Sequence, residues 1–432
     1  MERNIEKQLL NWKDSSSRLP LVLQGARQVG KTYSLLQFGR KYYQNTAYFN
    51  FENSRELHDI FNRDLSPERI LRELSAFTYS ALIPGDTLIV FDEIQACERA
   101  LTSLKYFAEE APQFHIVSAG SLLGVAINRN THSFPVGKVQ VLTMHPLDFE
   151  EFMLAQGKHE AISIIRDCFN NNEVCSLHET FLDEYRIFIG VGGMPQVLNE
   201  FFTSGDYNMV MALQKNIIDA YIADMAKYAG PSETVKIISA FNSVPAQLAK
   251  ENRKFQYKII KSGARATHYE TAIDWLVASA TVSRCTKVTE GRFPLTSFSD
   301  STSFKVYMAD TGLLCACYGI SPVVFQRETT AWQAIKGSLT ENYVSSALTC
   351  KGLKPYYWES EGKAEVDFVI QTQTGDIIPL EVKSSDNVRS KSLQQFISRY
   401  QPPWSMRISA KNFGLENNIK SIPLYAVFCV EP

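Results

Sequence analysis

The chain has 432 residues, a length that suits about two to four domains, and its 45% hydrophobic content is ordinary for a globular protein. A formal net charge of -2 excludes a whole-molecule attraction to nucleic acid, so any such contact has to come from a local patch. No apolar run approaches the ~20 residues of a membrane helix.

The charged opening, "MERNIEKQLLNWKDSSSR", reads as an amphipathic helix without the apolar core of a signal peptide, so a cytoplasmic protein with no membrane contact is expected. The eight cysteines include no C-x-x-C pair, and Cys315 and Cys317 are too close for zinc spacing. They read as reduced, mostly buried thiols.

From Leu19 to about Pro146, short apolar runs alternate with helical spacing. "LPLVLQG", "AYFNFE", "TLIVFDE", "FHIVSAGS" and "VQVLTMHPL" read as strands, whereas "SPERILRELSAFTYSAL" reads as helix. The alternation predicts an α/β domain over residues 1–146, a parallel sheet covered by helices.

After the first strand comes "GARQVGKT", which satisfies G-x-x-x-x-G-K-[ST] with Gly25, Gly30, Lys31 and Thr32. Such glycines let backbone N–H groups wrap a phosphate at the start of a helix whose dipole favours anions. Lys31 would reach the β- and γ-phosphates of ATP, and the Thr32 hydroxyl would ligate Mg²⁺. "TLIVFDE" is an apolar strand ending in two acids: Asp92 would hold the metal through water and Glu93 would orient or deprotonate the attacking water. "HIVSAGS" puts Ser118 and Ser121 at a strand end, where either could sense the γ-phosphate or cap a loop. An arginine borrowed from a neighbouring subunit of a homo-oligomer often completes such sites, and Arg129, Lys138 and Arg186 are candidates.

Residues 147–230 are helix-rich and read as a helical lid. Within them "GGMP", near Gly192, could contact nucleotide or simply break a helix. Residues 231–315 give helix, helix, then strand, closed by "FKVYMADTGLL", the order of a winged helix. Lys250, Arg253, Lys254, Lys258, Lys261, Arg265 and His268 crowd its middle, where they could neutralise DNA phosphates or form a solvated face.

Residues 316–432 run helix ("KGSLTENYVSSALTC"), strand ("PYYWES"), a hairpin ("AEVDFVIQTQTGDIIPLEVKSS"), helix ("SKSLQQFISRY") and the strands "WSMRISA" and "SIPLYAVFCV". In the hairpin a period of two puts Val366, Phe368 and Ile370 on one face with Ile378, Leu380 and Val382. Glu365, Asp367, Glu381 and Lys383 take the other face, and a turn at Thr374 and Gly375 brings Asp367 near Glu381. Asp367 and Glu381 would bind Mg²⁺, Glu341 could lean in from its helix, and Lys383 could position water or stabilise phosphate charge.

In order, "LVLQGARQVGKT", "LIVFDEIQ", "AGSLLG", "FPVGKV…MHPLDFEEF", "GGMPQVL", "QLAKENRKFQY", "FKVYMADTGLL", "KGSLTENYV" and "EVDFVI…PLEVK" resemble a group of prokaryotic AAA+-type ATP-binding proteins. The C-terminal region of that group resembles the restriction-endonuclease fold, the PD-(D/E)XK superfamily. The resemblance implies an α/β P-loop ATPase domain, a helical lid, a winged-helix domain and a C-terminal restriction-endonuclease-like domain. Its nuclease positions (helix acid, strand Asp, Glu-x-Lys) are filled by Glu341, Asp367, Glu381 and Lys383. Lys138 stands where many relatives show an arginine, and a lysine lacks the bidentate fork. The function expected is Mg²⁺-dependent ATP hydrolysis coupled to a DNA-contacting, nuclease-like domain. The alternative is a nucleotide-controlled switch whose C-terminal domain holds a partner without cutting it.

Overall fold

A computed structural model describes residues 1–121, 123–128, 134–250, 253–326, 329–360, 364–384 and 391–431. The chain divides into two compact units, one of Glu2–His145 with Ala278–Ala280, the other of Met1, Pro146–Val277 and Thr281–Pro432.

The first unit is a five-stranded sheet in the order β2-β3-β4-β1-β5, with β1 Leu21–Gln24, β2 Asn45–Asn50, β3 Thr87–Asp92, β4 His115–Gly120 and β5 Gln140–Thr143. Every pairing is parallel, so each strand needs a crossover, and helices such as Lys31–Tyr42, Pro67–Thr78 and Glu98–Glu110 supply them. β3 and β4 are buried along their whole length, which explains their unbroken apolar sequence. Phe91, one residue before the paired acids, packs edge-on against Phe49, Phe51, Phe61 and Phe107, with ring centroids 5.6 to 6.4 Å apart. This cluster anchors the end of β3 in the core.

The second unit opens with helices. Asp148 and Glu151 form a capping box at the start of Phe149–Ala155. His178–Val191, Pro195–Ser204, Tyr207–Tyr228 and Pro231–Leu248 follow. "GGMP" is the turn between the first two of these, with the Gly193 N–H donating to Asp310 Oδ2 at 2.6 Å. A β-carbon on Gly193 would lie 2.0 Å from the Leu147 carbonyl oxygen, so the two backbones approach closely only because the side chain is absent.

Next comes an eight-stranded mixed sheet, ordered β12-β13-β11-β10-β9-β8-β6-β7. Its strands are β6 Val282–Val288, β7 Ser299–Met308, β8 Tyr356–Ser360, β9 Ala364–Gln371, β10 Ile377–Val382, β11 Ser405–Ser409, β12 Gly414–Glu416 and β13 Ile419–Pro423. The sequence assigns the hairpin β6–β7 to a winged helix ending at residue 315. It does not stand apart, because β6 pairs in parallel with β8, so one sheet runs through that position.

Two details depart from the sequence expectation. "SIPLYAVFCV" is a strand only to Pro423; Leu424–Cys429 form a buried 3-10 helix, and an unbroken apolar run cannot tell the two apart. In β9 the strict alternation fails. Tyr356 pairs with Val369 and Trp358 with Val366, so β9 carries one extra residue, a bulge. Val366 and Val369 therefore enter the same core with Trp358 and Phe396, whereas Phe368 packs on Tyr307 at 5.7 Å instead of joining Val366.

Substituting Gly193→Ala should lower unfolding stability by about 1–3 kcal/mol through overpacking against Leu147. Urea denaturation followed by far-UV circular dichroism measures it, and an unchanged midpoint would mean that the two backbones do not meet.

Candidate functional site

The first unit gathers the phosphate loop and the acids of β3 at the C-terminal end of its parallel sheet, where open α/β sheets hold ligands. Gly25 has φ +149°, and a β-carbon there would come within 2.2 Å of the Met144 carbonyl oxygen. Gln28 and Gly30 are also left-handed, and the helix Lys31–Tyr42 starts directly after them. Lys31 is buried, its Nζ donating to the carbonyl oxygens of Gly25 and Ala26 at 2.9 Å each. Arg3 supports the loop from outside, donating to the Val29 carbonyl at 2.9 Å and the His145 carbonyl at 2.7 Å.

The Thr32 hydroxyl donates to Asp92 Oδ2 at 3.0 Å, and the Tyr48 hydroxyl donates to the same oxygen at 2.7 Å. Thr32 and Asp92 are thus hard oxygen donors within reach of one Mg²⁺, and the pair fits that ion. Glu93 is left-handed, and Gln95 Nε2 donates to its Oε2 at 2.5 Å, while Gln95 Oε1 is buried with no hydrogen-bond partner among the described residues. Burial, reinforced by Asp92 and opposed by the Gln95 bond, lifts the Glu93 carboxyl above its ordinary range. Ser118 donates to the Leu21 carbonyl at 3.0 Å, which ties β4 to β1 and takes that hydroxyl out of phosphate sensing. Ser121 lies buried just past β4. Of the borrowed-arginine candidates, Arg129 lies outside the described residues. Lys138 pairs with Glu109 at 3.0 Å, and Arg186 with Asp183 at 2.5 Å in the second unit. Exposed pairs of this kind are weak and tie up neither cation.

In the second unit three of the four expected residues lie in a row of paired charges, and Asp367 sits among them on a backbone hydrogen bond. Glu341, in the helix Thr330–Cys350, is 1% exposed. Its Oε1 accepts from Lys305 Nζ at 3.0 Å and from the Tyr307 hydroxyl at 2.5 Å, and its Oε2 accepts from Arg253. Lys305 is completely buried and also meets Glu365 Oε1 at 2.6 Å. Burial works against both charges, yet Lys305 and Arg253 hold the Glu341 carboxyl below its ordinary range. Glu341, Glu365 and Asp367 likewise hold the Lys305 ammonium above its own.

Asp367 Oδ2 accepts the Val382 N–H at 2.8 Å. Burial first, then Glu341 and Glu381, pushes the Asp367 carboxyl up to about 8. Lys383 turns toward the acids, its Nζ 2.6 Å from Glu381 Oε1, while Glu381 Oε2 is buried with no hydrogen-bond partner among the described residues. Among the described residues no group of three or more His, Cys, Asp or Glu is arranged to hold a metal ion. Mg²⁺ commonly takes one or two carboxylates and completes its shell with water and phosphate oxygens. Asp367 and the unpartnered oxygen of Glu381 fit that pattern; Glu341, surrounded by donors, does not.

The basic cluster is smaller than its sequence implies. Arg253 and Lys254 are turned inward, paired with Glu341 and Glu359 respectively. Lys250, Lys258, Lys261, Arg265 and His268 are exposed.

Tyr48, Gln95, Arg3, Lys305 and Tyr307 were not anticipated. Lys305 had a legible signal, a single lysine inside the apolar strand "FKVYM".

Residues 17–153 match the model of a family described as an AAA domain. The match takes in most of the first unit, with its phosphate loop and the acids that end β3, and that part of the chain is similar to an AAA domain. Residues 182–323 and 336–427 match two further models, each described as a domain of unknown function (DUF8612 and DUF4143). No curated protein matches the chain. Among solved structures, the Walker-type ATPase PABY2304 of Pyrococcus abyssi is 14% identical, covering 73% of this chain and 95% of its own, with a TM-score of 0.43. The Aeropyrum pernix ORC1 protein in complex with DNA is 13% identical over 73% and 91%, TM-score 0.31. The Thermotoga maritima RuvB Holliday junction branch migration motor is 13% identical over 68% and 90%, TM-score 0.31. Likenesses this loose carry no argument about function. Among the described residues no helix is long and apolar enough to cross a membrane.

Replacing Lys31 by Ala should weaken a fluorescent ATP analogue roughly 10–100-fold, the loss of charge-assisted bonds worth about 1.5–3 kcal/mol. An affinity within twofold of the parent would remove Lys31 from the phosphate site.

Proposed function

We propose that the chain hydrolyses ATP and couples that cycle to a DNA-contacting, nuclease-like second unit. The observation that carries the first half is the 3.0 Å contact between Thr32 and Asp92, beside a Glu93 whose carboxyl is held by Gln95. Mg²⁺, bound through Thr32 and Asp92, would neutralise charge on the β- and γ-phosphate oxygens. Lys31 leaves the loop carbonyls for the phosphates, keeping its charge paired throughout. Gly25 and Gly30 would let the loop approach them, and Ser121, just past β4, would face them. Glu93, with proton affinity raised by burial, is poised to draw a proton from the attacking water. Gln95 fixes the direction of that carboxylate. A second copy of the chain, supplying Arg129, Lys138 or Arg186, would add the missing positive charge.

For the second unit, Lys258, Lys261, Arg265 and His268, around the start of the helix Ala266–Ala278, are with Lys250 the residues left to meet DNA phosphates. Asp367 and Glu381 would hold a divalent cation, with Lys383 placed to stabilise charge on a phosphodiester. The second reading, a nucleotide-controlled unit that binds without cutting, is favoured by one observation: the helix acid Glu341 is already committed to Lys305 and Arg253.

Glu93→Gln should keep ATP affinity within about threefold of the parent and slow phosphate release by roughly 10²–10⁴-fold, the usual worth of a general base. Hydrolysis at the parent rate would strip Glu93 of that role. Incubation of supercoiled plasmid with Mn²⁺ separates the two readings of the second unit. Nicking that disappears in Asp367→Asn and Lys383→Ala supports cutting; DNA binding without nicking, weakened by Lys261→Glu and by salt, supports holding alone.

A further inference from the structure

The charges around Asp367 come in matched pairs. Lys305 and Arg253 face Glu341 and Glu365, and Lys383 faces Glu381. Asp367 alone has no cation of its own at ion-pair distance among the described residues, its hydrogen bond being the one from the Val382 N–H. A divalent cation approaching this cluster therefore meets little net negative charge, although four carboxylates line it. Lys305 reaches the cluster from β7, at the edge of the sheet, and lies across β6 and β8 from the hairpin that carries Asp367 and Glu381. Being fully buried, it cannot swing out to solvent without opening the sheet.

We propose that Lys305, seconded by Arg253, is a built-in counter-cation that withdraws Glu341 from metal binding. The cluster is thereby left as a weak, two-carboxylate site that needs a phosphate-bearing ligand to retain Mg²⁺. The inference rests on the reading of Asp367 and Glu381 as metal ligands. It makes Lys305 a positioning residue, one that sets metal affinity through Glu341 without touching the ion. The phosphate would supply both the missing oxygen ligands and the missing charge, so metal and ligand bind cooperatively.

The test is a titration with Mn²⁺ alone, read from the EPR signal of free Mn²⁺, using the full chain without nucleotide and with Asp92→Asn to silence the first site. Glu341→Gln should weaken binding less than Asp367→Asn does, its effect coming only through the charge it strands on Lys305 and Arg253. Lys305→Met should tighten it at least tenfold, since a buried positive charge is removed from beside the acids. Mn²⁺ binding absent from the parent but present in Lys305→Met supports the proposal equally. Equal weakening by Glu341→Gln and Asp367→Asn would make Glu341 a ligand and overturn it, as would no gain in Lys305→Met. Should Lys305→Met fail to fold by circular dichroism, Lys305→Gln takes its place and Glu341→Gln decides. If Asp367→Asn leaves binding unchanged while Lys305→Met still tightens it, the assignment of Asp367 fails and that of Lys305 stands.

Discussion

The buried pair of Lys305 and Glu341 is the contact on which the second unit turns. Both groups are essentially out of water, and an isolated charge in that position would cost several kcal/mol. Their mutual attraction offsets this cost only because the remaining donors and acceptors are also filled. Tyr307 and Arg253 complete Glu341, while Glu365 and the face of the Tyr357 ring, 5.1 Å away, surround the ammonium of Lys305. Such a network binds β7, β9 and the helix Thr330–Cys350 into one geometry. Losing one member strands the others, which makes the pair a determinant of structure as well as of charge.

The first unit meets the same constraint in a different way. Lys31 is buried too, but its partners are backbone carbonyls of its own loop, which carry partial charge and can be exchanged for phosphate oxygens. Asp92 is likewise held by two hydroxyls, Thr32 and Tyr48, and by the Glu93 N–H, with no cation at ion-pair distance among the described residues. Hydroxyl and carbonyl partners release a charged group cheaply, whereas a buried salt bridge does not. The nucleotide site is therefore built to exchange ligands, and the Glu341 end of the second cluster is built to stay closed.

Much of this was legible in the sequence, and the limits have physical causes. The phosphate loop and the end of β3 could be placed because glycine, lysine and paired acids have few other uses at that spacing after an apolar strand. The pairing of Leu380 with Phe368, and the nearness of Glu381 to Asp367, came from the turn. The bulge in β9 did not, because one extra residue leaves no mark on an apolar strand while reversing the face of the residues beyond it. The partner of Lys305 was hidden for another reason. Lys305 belongs to a hairpin assigned to a separate winged helix, and the parallel pairing of β6 with β8 that brings it to Glu341 is a long-range contact. The shrinkage of the basic cluster has the same origin, since Arg253 and Lys254 spend their charge on Glu341 and Glu359, distant in sequence.

Placed side by side, the two centres share a chemical limitation. On the reading proposed for each, the protein offers a divalent cation two oxygen donors, Thr32 and Asp92 in one and Asp367 and Glu381 in the other. Mg²⁺ requires near-octahedral coordination and surrenders water reluctantly, so two protein oxygens bind it poorly by themselves. In the first centre the β- and γ-phosphates of ATP fill the shell, which makes the ion a companion of the nucleotide more than a resident of the protein. If the second centre obeys the same rule, its ion arrives with a phosphodiester and leaves with it. Lys305 then has a use beyond stability: by neutralising Glu341 it keeps the cluster from capturing a cation when no phosphate is there to be held.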